Sequence, residues 1–241
     1  MALKKIKIYR VLLLAFVGIM VMLSYVGIQF CRLKHAQSYF DNLDEALKDP
    51  EQVKVLILRN QRLDSLPARI GELTNMRVLN LANNNLGSLP EAIGNLYNLE
   101  ELTVENNKLN SLPASVHKLK RLKVINLSSN EFRSLPTELI GLDSLRKLCL
   151  ANNRIQNVIL KGCINLEDLD LSDNNIEELS VLTDQMRILK KLDLYNNKIT
   201  NIPDDLFSLR VLSELILSGN PLSGNTRTRY ESFLKRKATY K

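Results

Sequence analysis

The sequence predicts an α/β solenoid, in which short strands stack into one parallel sheet and short helical or irregular segments connect them. One observation is a block that recurs every 23 residues along most of the chain. A second is that each block carries apolar residues at relative positions 0, 3 and 5 and a polar residue, almost always Asn, at position 8. Such a block cannot bury its apolar edge alone, so its recurrence predicts neighbours stacked around a shared core.

The third repeat, Leu99 to Pro113, reads LEELTVENNKLNSLP and defines the pattern L-x-x-L-x-L-x-x-N-x-L. The pattern begins at Val53, Met76, Leu99, Leu122, Leu145, Leu166, Leu189 and Leu212. The position-8 column is Gln61, Asn84, Asn107, Asn130, Asn153, Asn174, Asn197 and Asn220. Over roughly residues 50 to 224 the chain therefore resembles leucine-rich repeat proteins. This resemblance is specific for the fold and nearly silent about the partner.

Between the repeated leucines lies a filler, L-P-x-x-I/L-G-x-L, at residues 66–73 and 89–96, and at residues 135–142 in a variant with Gly one position later. The filler resembles a subclass found in bacterial surface proteins, and with the lead-in EQVKVLIL the chain is similar to membrane-anchored repeat proteins of Bacteroidetes-like bacteria. It is also similar to intracellular Ras-group repeats. The fifth repeat lacks the Leu-Pro pair and is two residues short, and the sixth lacks Pro and Gly. Such irregular filler alters the convex side. Neutral drift on a tolerant surface and a nearby binding site are the two explanations for it.

Residues 11–30 are predicted to form a transmembrane signal-anchor helix, because these twenty residues carry no charge and have the length of a bilayer span. A cleaved signal peptide or a lipoprotein modified at Cys31 are the alternatives, although no small-x-small cleavage site follows the span. The basic flank at residues 1–10 carries four Lys/Arg, against two or three after the span. This bias favours a cytoplasmic N-terminus, a single-pass topology and an extracytoplasmic repeat domain.

Capping segments are predicted at both ends of the eight repeats, which span residues 53–224. Residues 31–52 form a linker and a capping helix, with Phe40, Leu43 and Leu47 on one face, Asp41 or Asn42 at its start and Asp49-Pro50 at its end. Residues 225–241 form a C-terminal cap helix and basic tail. Its apolar stripe is Tyr230, Phe233 and Leu234. The alternative for this tail is a basic motif for anionic lipid or an acidic partner.

The net charge of +7 belongs to the two ends of the chain. Residues 1–34 carry six Lys/Arg and no acid, and residues 225–241 carry six against Glu231. The remaining residues, 35–224, carry 21 basic and 25 acidic side chains. A nucleic-acid-binding domain needs a basic face on its folded part, so nucleic acid is not expected as a partner.

No catalytic, metal or cofactor site is expected. The two histidines, His35 and His117, lie far apart in sequence, and no phosphate loop, metal-spaced cluster or nucleophile motif occurs. Of the three cysteines, Cys163 replaces a core leucine and Cys149 is expected on the concave face, so no disulfide between them is predicted.

The candidate site lies on the concave face, at the positions between the leucines. Repeats five to seven alternate acids with Arg146, Lys147, Lys190 and Lys191, which predicts cross-strand ion pairs. Asp170 and Asp193 are neighbours in one column, and like charges there do not stabilise a sheet. The candidate protein-binding residues are Asp168, Asp170, Lys191, Asp193, Tyr195, Glu101 and Thr103. A basic peptide or protein segment is the expected partner, with calcium as a lesser alternative.

The sequence thus predicts a non-catalytic, membrane-anchored protein-binding module with an unidentified protein or peptide partner. A structural cell-envelope protein without a dedicated ligand and a cytoplasm-facing signalling scaffold are the alternatives.

Overall fold

The structure is a computed structural model, which describes residues 38–160, 165–181 and 188–239. The chain divides into two compact units, residues 1–39 and 40–241, and only Ser38 and Tyr39 of the first are described. The span predicted at residues 11–30 and the cysteines Cys31 and Cys163 lie outside the described residues. Among the described residues, no helix combines the length and the apolar character needed to cross a bilayer.

A nine-stranded sheet forms one side of the repeats, in the order β1-β2-β3-β4-β5-β6-β8-β10-β11. Its strands are β1 (Tyr39–Phe40), β2 (Val55–Ile57), β3 (Val78–Asn80), β4 (Glu101–Thr103), β5 (Val124–Asn126), β6 (Lys147–Cys149), β8 (Asp168–Asp170), β10 (Lys191–Asp193) and β11 (Glu214–Ile216). From β2 to β11 neighbouring strands pair in parallel, with the central apolar residue of each strand opposite that of the next. The parallel leucine-rich repeat solenoid predicted from the sequence is confirmed.

The leucine columns form one continuous core behind the sheet. The residues that begin the eight repeats are all buried, as are the central residues of the strands from β2 to β11. Burial of this apolar surface is the main favourable contribution to folding, at roughly 25 cal/mol per Å² removed from water. Because every repeat shares its core with two neighbours, stability accumulates along the stack and does not reside in any one repeat.

Short helical segments form the convex side wherever the filler contains Leu-Pro or, in the seventh repeat, Ile-Pro. They are η2 (Ala68–Glu72), η3 (Glu91–Asn95), η4 (Ala114–Lys118), η5 (Thr137–Leu139) and the α-helix α2 (Asp204–Ser208). Each segment begins immediately after a proline, and in the first four the proline is in extended conformation. Proline suits this position because its fixed φ and missing N–H cost nothing before the first helical residue.

The fifth and sixth repeats have strands on the convex side instead of helical segments. β7 (Asn157–Leu160) and β9 (Glu178–Val181) pair in parallel as a separate two-stranded sheet. Ile159 and Ser180 stand where the other repeats have proline. Their N–H groups permit a ladder between the two repeats, which proline would prevent. The sequence predicted only helical or irregular filler here, so this sheet is a departure from the prediction.

Glycines in the filler allow the convex segments to stack closely. A Cβ built on Gly94 would lie 2.5 Å from Ser115 Cβ and 2.7 Å from the Ser115 carbonyl oxygen. Glu91 joins the same two segments, since its carboxylate accepts from the N–H groups of Ala114 and Ser115 at 3.1 and 2.9 Å. The Ser115 N–H bond, above all, holds the pKa of Glu91 below its usual range.

Replacing Gly94 by alanine is expected to destabilise the repeats by about 1–3 kcal/mol, because the added methyl group overlaps Ser115. Urea unfolding followed by circular dichroism measures the effect. Gly87→Ala is the matched control, since a Cβ there meets nothing within 4 Å. Equal midpoints for the two variants would contradict tight stacking on the convex side.

The N-terminal capping segment contains less helix than the sequence predicts. The Asn42 side chain caps α1 (Leu43–Ala46) by accepting from the Glu45 N–H at 3.0 Å. The helix has only four residues and ends before Asp49, and Pro50 instead opens the short segment η1 (Pro50–Gln52). Phe40 lies in β1, outside the helix, although it still packs against the core.

The C-terminal cap is the helix α3 (Gly224–Thr239), which lies against the last repeats. Phe233 is 2% exposed, and its ring centroid lies 6.2 Å from that of Phe207. The Tyr230 hydroxyl donates to the carbonyl of Leu215 in β11 at 3.0 Å, which occupies an acceptor on the last strand. Leu234 is 46% exposed, so it does not belong to the buried stripe predicted with Tyr230 and Phe233.

The basic residues at the end of α3 also bind the preceding repeat. Arg236 and Lys237 donate to the carbonyl oxygens of Phe207 and Arg210, and both cations lie over the Phe233 ring. These contacts are those of a cap, because they hold the end of α3 against the repeat before it.

Phe233→Ala is expected to lower the free energy of unfolding by about 3–4 kcal/mol, because it removes a buried ring from the cap. Thermal and urea denaturation of the full chain measure this loss. Leu234→Ala, at the exposed neighbouring position, should change stability by less than about 0.5 kcal/mol. A similar loss in both variants would show that α3 does not cap the repeats in this way.

Candidate binding face

The asparagine column fixes where each strand ends. The side-chain amide of Asn107 donates to the carbonyl oxygens of Leu81, Val104 and Glu105, and its oxygen accepts from the N–H of Leu86 at 2.9 Å. Two of these four partners belong to the preceding repeat. The bonds satisfy backbone groups that leave the ladder where the chain turns, so the strand ends at the same height in every repeat.

A second column, immediately before the asparagines, has positive φ. Its members are Asn60, Asn83, Asn106, Ser129, Asn152, Asp173, Asn196 and Gly219. This left-handed turn was not predicted from the repeat pattern. The signal was present, because Asn, Asp and Gly are the residues that most readily adopt this conformation and they fill seven of the eight positions.

The concave face is the surface of the nine-stranded sheet that carries the side chains on either side of each central apolar residue. These side chains are expected to face solvent, and most are half-buried or exposed. The first repeat is an exception, since Val55 and Ile57 are only 5% and 7% exposed. The expectation of a solvent-facing surface is therefore wrong at β2.

Cross-strand ion pairs neutralise most charges on the concave face, as predicted. Glu100 lies between Arg77 and Lys123, Glu167 lies between Arg146 and Lys190, Asp168 pairs with Lys147, and Glu214 pairs with Lys191. The Lys190 bond, above all, lowers the pKa of Glu167. Exposed pairs of this kind contribute about 0–1 kcal/mol each, so they fix charge positions more than they stabilise the fold.

Asp170 and Asp193 are in direct register on β8 and β10, and neither forms an ion pair with a described residue. Oδ1 of Asp170 accepts from the N–H and hydroxyl of Ser172 at 3.0 and 2.7 Å. Oδ1 of Asp193 accepts from the N–H of Tyr195 at 2.9 Å. Partial burial, and then the nearby Asp170, raise the pKa of Asp193. The two carboxylates therefore hold turns by one oxygen each while repelling one another.

The other candidate residues separate into two groups. Asp168, Lys191 and Tyr195 lie on or beside β8 and β10, together with the two aspartates, and Tyr195 is 46% exposed. Burial raises the pKa of Asp168. Glu101 and Thr103 lie on β4, three strands from β8 and so about 14 Å away across the sheet. The structure does not bring this second group into contact with the first.

Glu214 is a member of this face that the list of candidate residues omitted. Its carboxylate lies 3.3 Å from Nζ of Lys191, so it holds the Lys191 side chain toward β11. The signal was the alternation of sign along one column, Asp168, Lys191, Glu214, which places opposite charges on adjacent strands.

Cys149 is a free, half-buried thiol on the same face. Its sulfur lies 2.8 Å from the Ser128 hydroxyl and 3.3 Å from Oδ2 of Asp170. Burial, and then the charge of Asp170, raise the pKa of the thiol to about 12. At neutral pH it is therefore protonated and a poor nucleophile.

The concave face offers charged and hydrogen-bonding groups on a rigid sheet. Within the described residues, no group of three His, Cys, Asp or Glu side chains is placed to hold a metal ion. What the face can do is bind a partner by complementary charge and by contact with Tyr195.

Comparison with known proteins identifies the family. A model described as a leucine-rich repeat region matches residues 38–169, and a leucine-rich repeat model matches residues 164–222. The chain belongs to the leucine-rich repeat family. No curated protein sequence matches it.

Solved structures of repeat proteins are similar to this chain. Internalin C2 from Listeria monocytogenes is 28% identical with a TM-score of 0.65, over 73% of this chain and 76% of that one. The repeat ectodomain of the plant membrane receptor kinase GASSHO1/SCHENGEN3 from Arabidopsis thaliana is 29% identical with a TM-score of 0.60. That ectodomain was solved in complex with CASPARIAN STRIP INTEGRITY FACTOR 2, and the match covers 77% of this chain and 26% of that one.

Proposed function

We propose that this chain is a non-catalytic, membrane-anchored module that binds a protein or peptide through its concave face. Membership of the leucine-rich repeat family supports a binding role, because stacked repeats build extended surfaces of this kind. The similar plant ectodomain was solved with a bound partner, which supports the same role. The partner proposed for this chain is a basic segment, since the unpaired charges on β4, β8 and β10, which are Glu101, Asp170 and Asp193, are all acidic.

The observation that carries this proposal is the surplus charge at Asp170 and Asp193. Asn80 and Asn126 occupy the same position in other repeats, and each accepts from the N–H two residues later, as the aspartates do. Asparagine therefore does the structural work without a charge. The carboxylates add mutual repulsion to the fold, and a cationic ligand would remove it.

Anchoring by residues 11–30 completes the proposal. A helix there would place the repeats outside the cytoplasm, with the cell envelope as the location and a cleaved signal peptide or a lipoprotein as alternatives. A structural envelope protein would need no dedicated ligand, and a cytoplasmic scaffold would require the opposite topology.

Asp170→Asn with Asp193→Asn is expected to weaken binding of a six-residue lysine-rich probe peptide about tenfold, because it removes both charges and keeps both turns. Fluorescence anisotropy with the labelled peptide measures the affinity. Glu177→Gln with Glu178→Gln removes the same charge from exposed positions beside and within β9, on the convex side, and should leave the affinity unchanged. Equal losses in both double variants would mean that only net charge matters.

Binding of the same peptide should also depend on pH. Protonation removes the negative charge, and burial raises the pKa of Asp193. Affinity for the peptide should therefore be full at neutral pH. As the pH is lowered, affinity should begin to fall at a pH above 3.8, the ordinary pKa of an aspartate. The Asp193→Asn variant should lack this component. An unchanged pH profile in that variant would contradict a role for Asp193 in binding.

C-terminal reporter fusions test the anchor and its direction. Alkaline phosphatase fused after residue 241 should be active in bacterial cells, because it would lie outside the cytoplasm, and it should remain with the membranes after a carbonate wash. A fluorescent protein that folds only in the cytoplasm should be dark when it is fused at the same position. Release by the wash would overturn anchoring. An active fluorescent fusion that stays with the membrane would instead support the cytoplasmic scaffold.

A further inference from the structure

We propose that one edge of the repeats, carrying Lys118, Lys120 and Arg121, lies against the anionic phospholipid headgroups of the membrane that holds the chain. This basic edge is the side of the sheet where the strands begin, and its cations lie at the end of η4 and in the turn that precedes β5. The inference rests on the anchor proposed at residues 11–30, and it concerns how the repeats lie on the bilayer and not which ligand they bind.

The three cations of the basic edge are exposed, and none forms an ion pair with a carboxylate of the described residues, although Glu91 lies within electrostatic range of Lys118 and Glu100 within range of Arg121. Arg121 donates to the side-chain oxygen of Asn98 at 2.7 Å, and Lys120 donates to the carbonyl oxygen of Gly141 at 3.0 Å. Both acceptors are uncharged, so these bonds position the cations without cancelling their charge. Among the described residues, no carboxylate oxygen lies within 4 Å of the cationic nitrogens of these three residues.

The opposite edge, where the strands end, has a different charge. There exposed acids such as Glu105 and Asp173 are interspersed with exposed cations such as Lys108 and Lys198, so no cluster of one sign forms. On the basic edge the nearest exposed acid in the same column is Asp143, one repeat further along. Electrostatics therefore favours contact through the basic edge over contact through the mixed opposite edge.

An exposed aromatic side chain lies beside the basic edge. Tyr97 is 54% exposed and occupies the position of Lys120 in the preceding repeat. Tyrosine is enriched where proteins meet the bilayer interface, because its ring is apolar and its hydroxyl remains wet. Its place next to the cations is consistent with headgroup contact.

The segment between the predicted span and the repeats is short, so even a weakly attractive basic edge is sufficient to hold the repeats against the membrane. Residues 31–37 separate the predicted span from the first described residue, and seven residues reach at most about 25 Å. Three cations would hold a free protein to lipid only weakly. For a tethered domain the same contact is intramolecular, with an effective concentration in the millimolar range, so modest attraction is enough.

The test is lysine labelling of the full chain reconstituted in vesicles. An impermeant amine-reactive reagent and mass spectrometry compare phosphatidylcholine vesicles with vesicles containing about 30% phosphatidylglycerol. Lys118 and Lys120 should react about fivefold more slowly in the anionic vesicles, and about 0.5 M NaCl should abolish the difference. Lys108 and Lys198, exposed on the opposite edge, should react equally in both.

Charge reversal separates the two edges. Lys118→Glu with Arg121→Glu should remove the protection of Lys120, whereas Lys108→Glu with Lys198→Glu should preserve it. Equal labelling of Lys118 and Lys120 in both lipids, or equal protection in neutral vesicles, would overturn the proposal. Protection in native membranes but not in pure lipid would also overturn it, in favour of an acidic protein. Release of the chain by a carbonate wash would instead count against the anchor.

Discussion

The fold depends on one constraint, which is that backbone groups released at the end of each buried strand must still be hydrogen bonded. The asparagine at position 8 meets this constraint with a single side chain that both donates and accepts. Asn130 donates to carbonyl oxygens of Val104, Leu127 and Ser128 and accepts from the N–H of Leu109. A leucine there would leave several buried polar groups unpaired, at about 1–3 kcal/mol each. Since the partners lie in two repeats, each amide also fixes the register of its neighbour.

The short fifth repeat shows how much variation this constraint allows. Asn174 still donates to the carbonyl of Leu150 and accepts from the N–H of Ile155, although these partners are 24 and 19 residues back, not 26 and 21 as in regular repeats. The deletion falls in the convex filler, after the ladder of the fifth repeat is complete. There the chain loses its proline and gains β7, which pairs with β9. The concave register is therefore unchanged while the opposite side changes its secondary structure.

The same constraint explains how much of the structure the sequence could predict. The repeat period and the columns of apolar residues determine the core. In a stack of repeats, a residue such as Leu102 can be buried only on the side that faces the shared core. The short β7–β9 sheet was not predictable, because absence of proline at Ile159 and Ser180 permits a strand without requiring one. Burial of Val55 and Ile57 was missed for a different reason, since repeat periodicity describes interior repeats and the first repeat lies at an end. Register could be read from spacing, but hydrogen bonds of individual side chains could not.

The charged side chains of the candidate face differ in whether the fold needs their charge for its stability. Glu167 has two cationic neighbours and Lys191 has Glu214, so their charges are used within the sheet. The oxygen that Asp170 offers to Ser172 is one that Asn126 offers equally well to Ser128. What remains unexplained by folding is a negative charge on Asp170 and on Asp193. Since burial raises the pKa of Asp193, that charge costs the folded chain free energy. A charge that the fold does not need, and that Lys191 offsets only in part, is best explained by something the face binds.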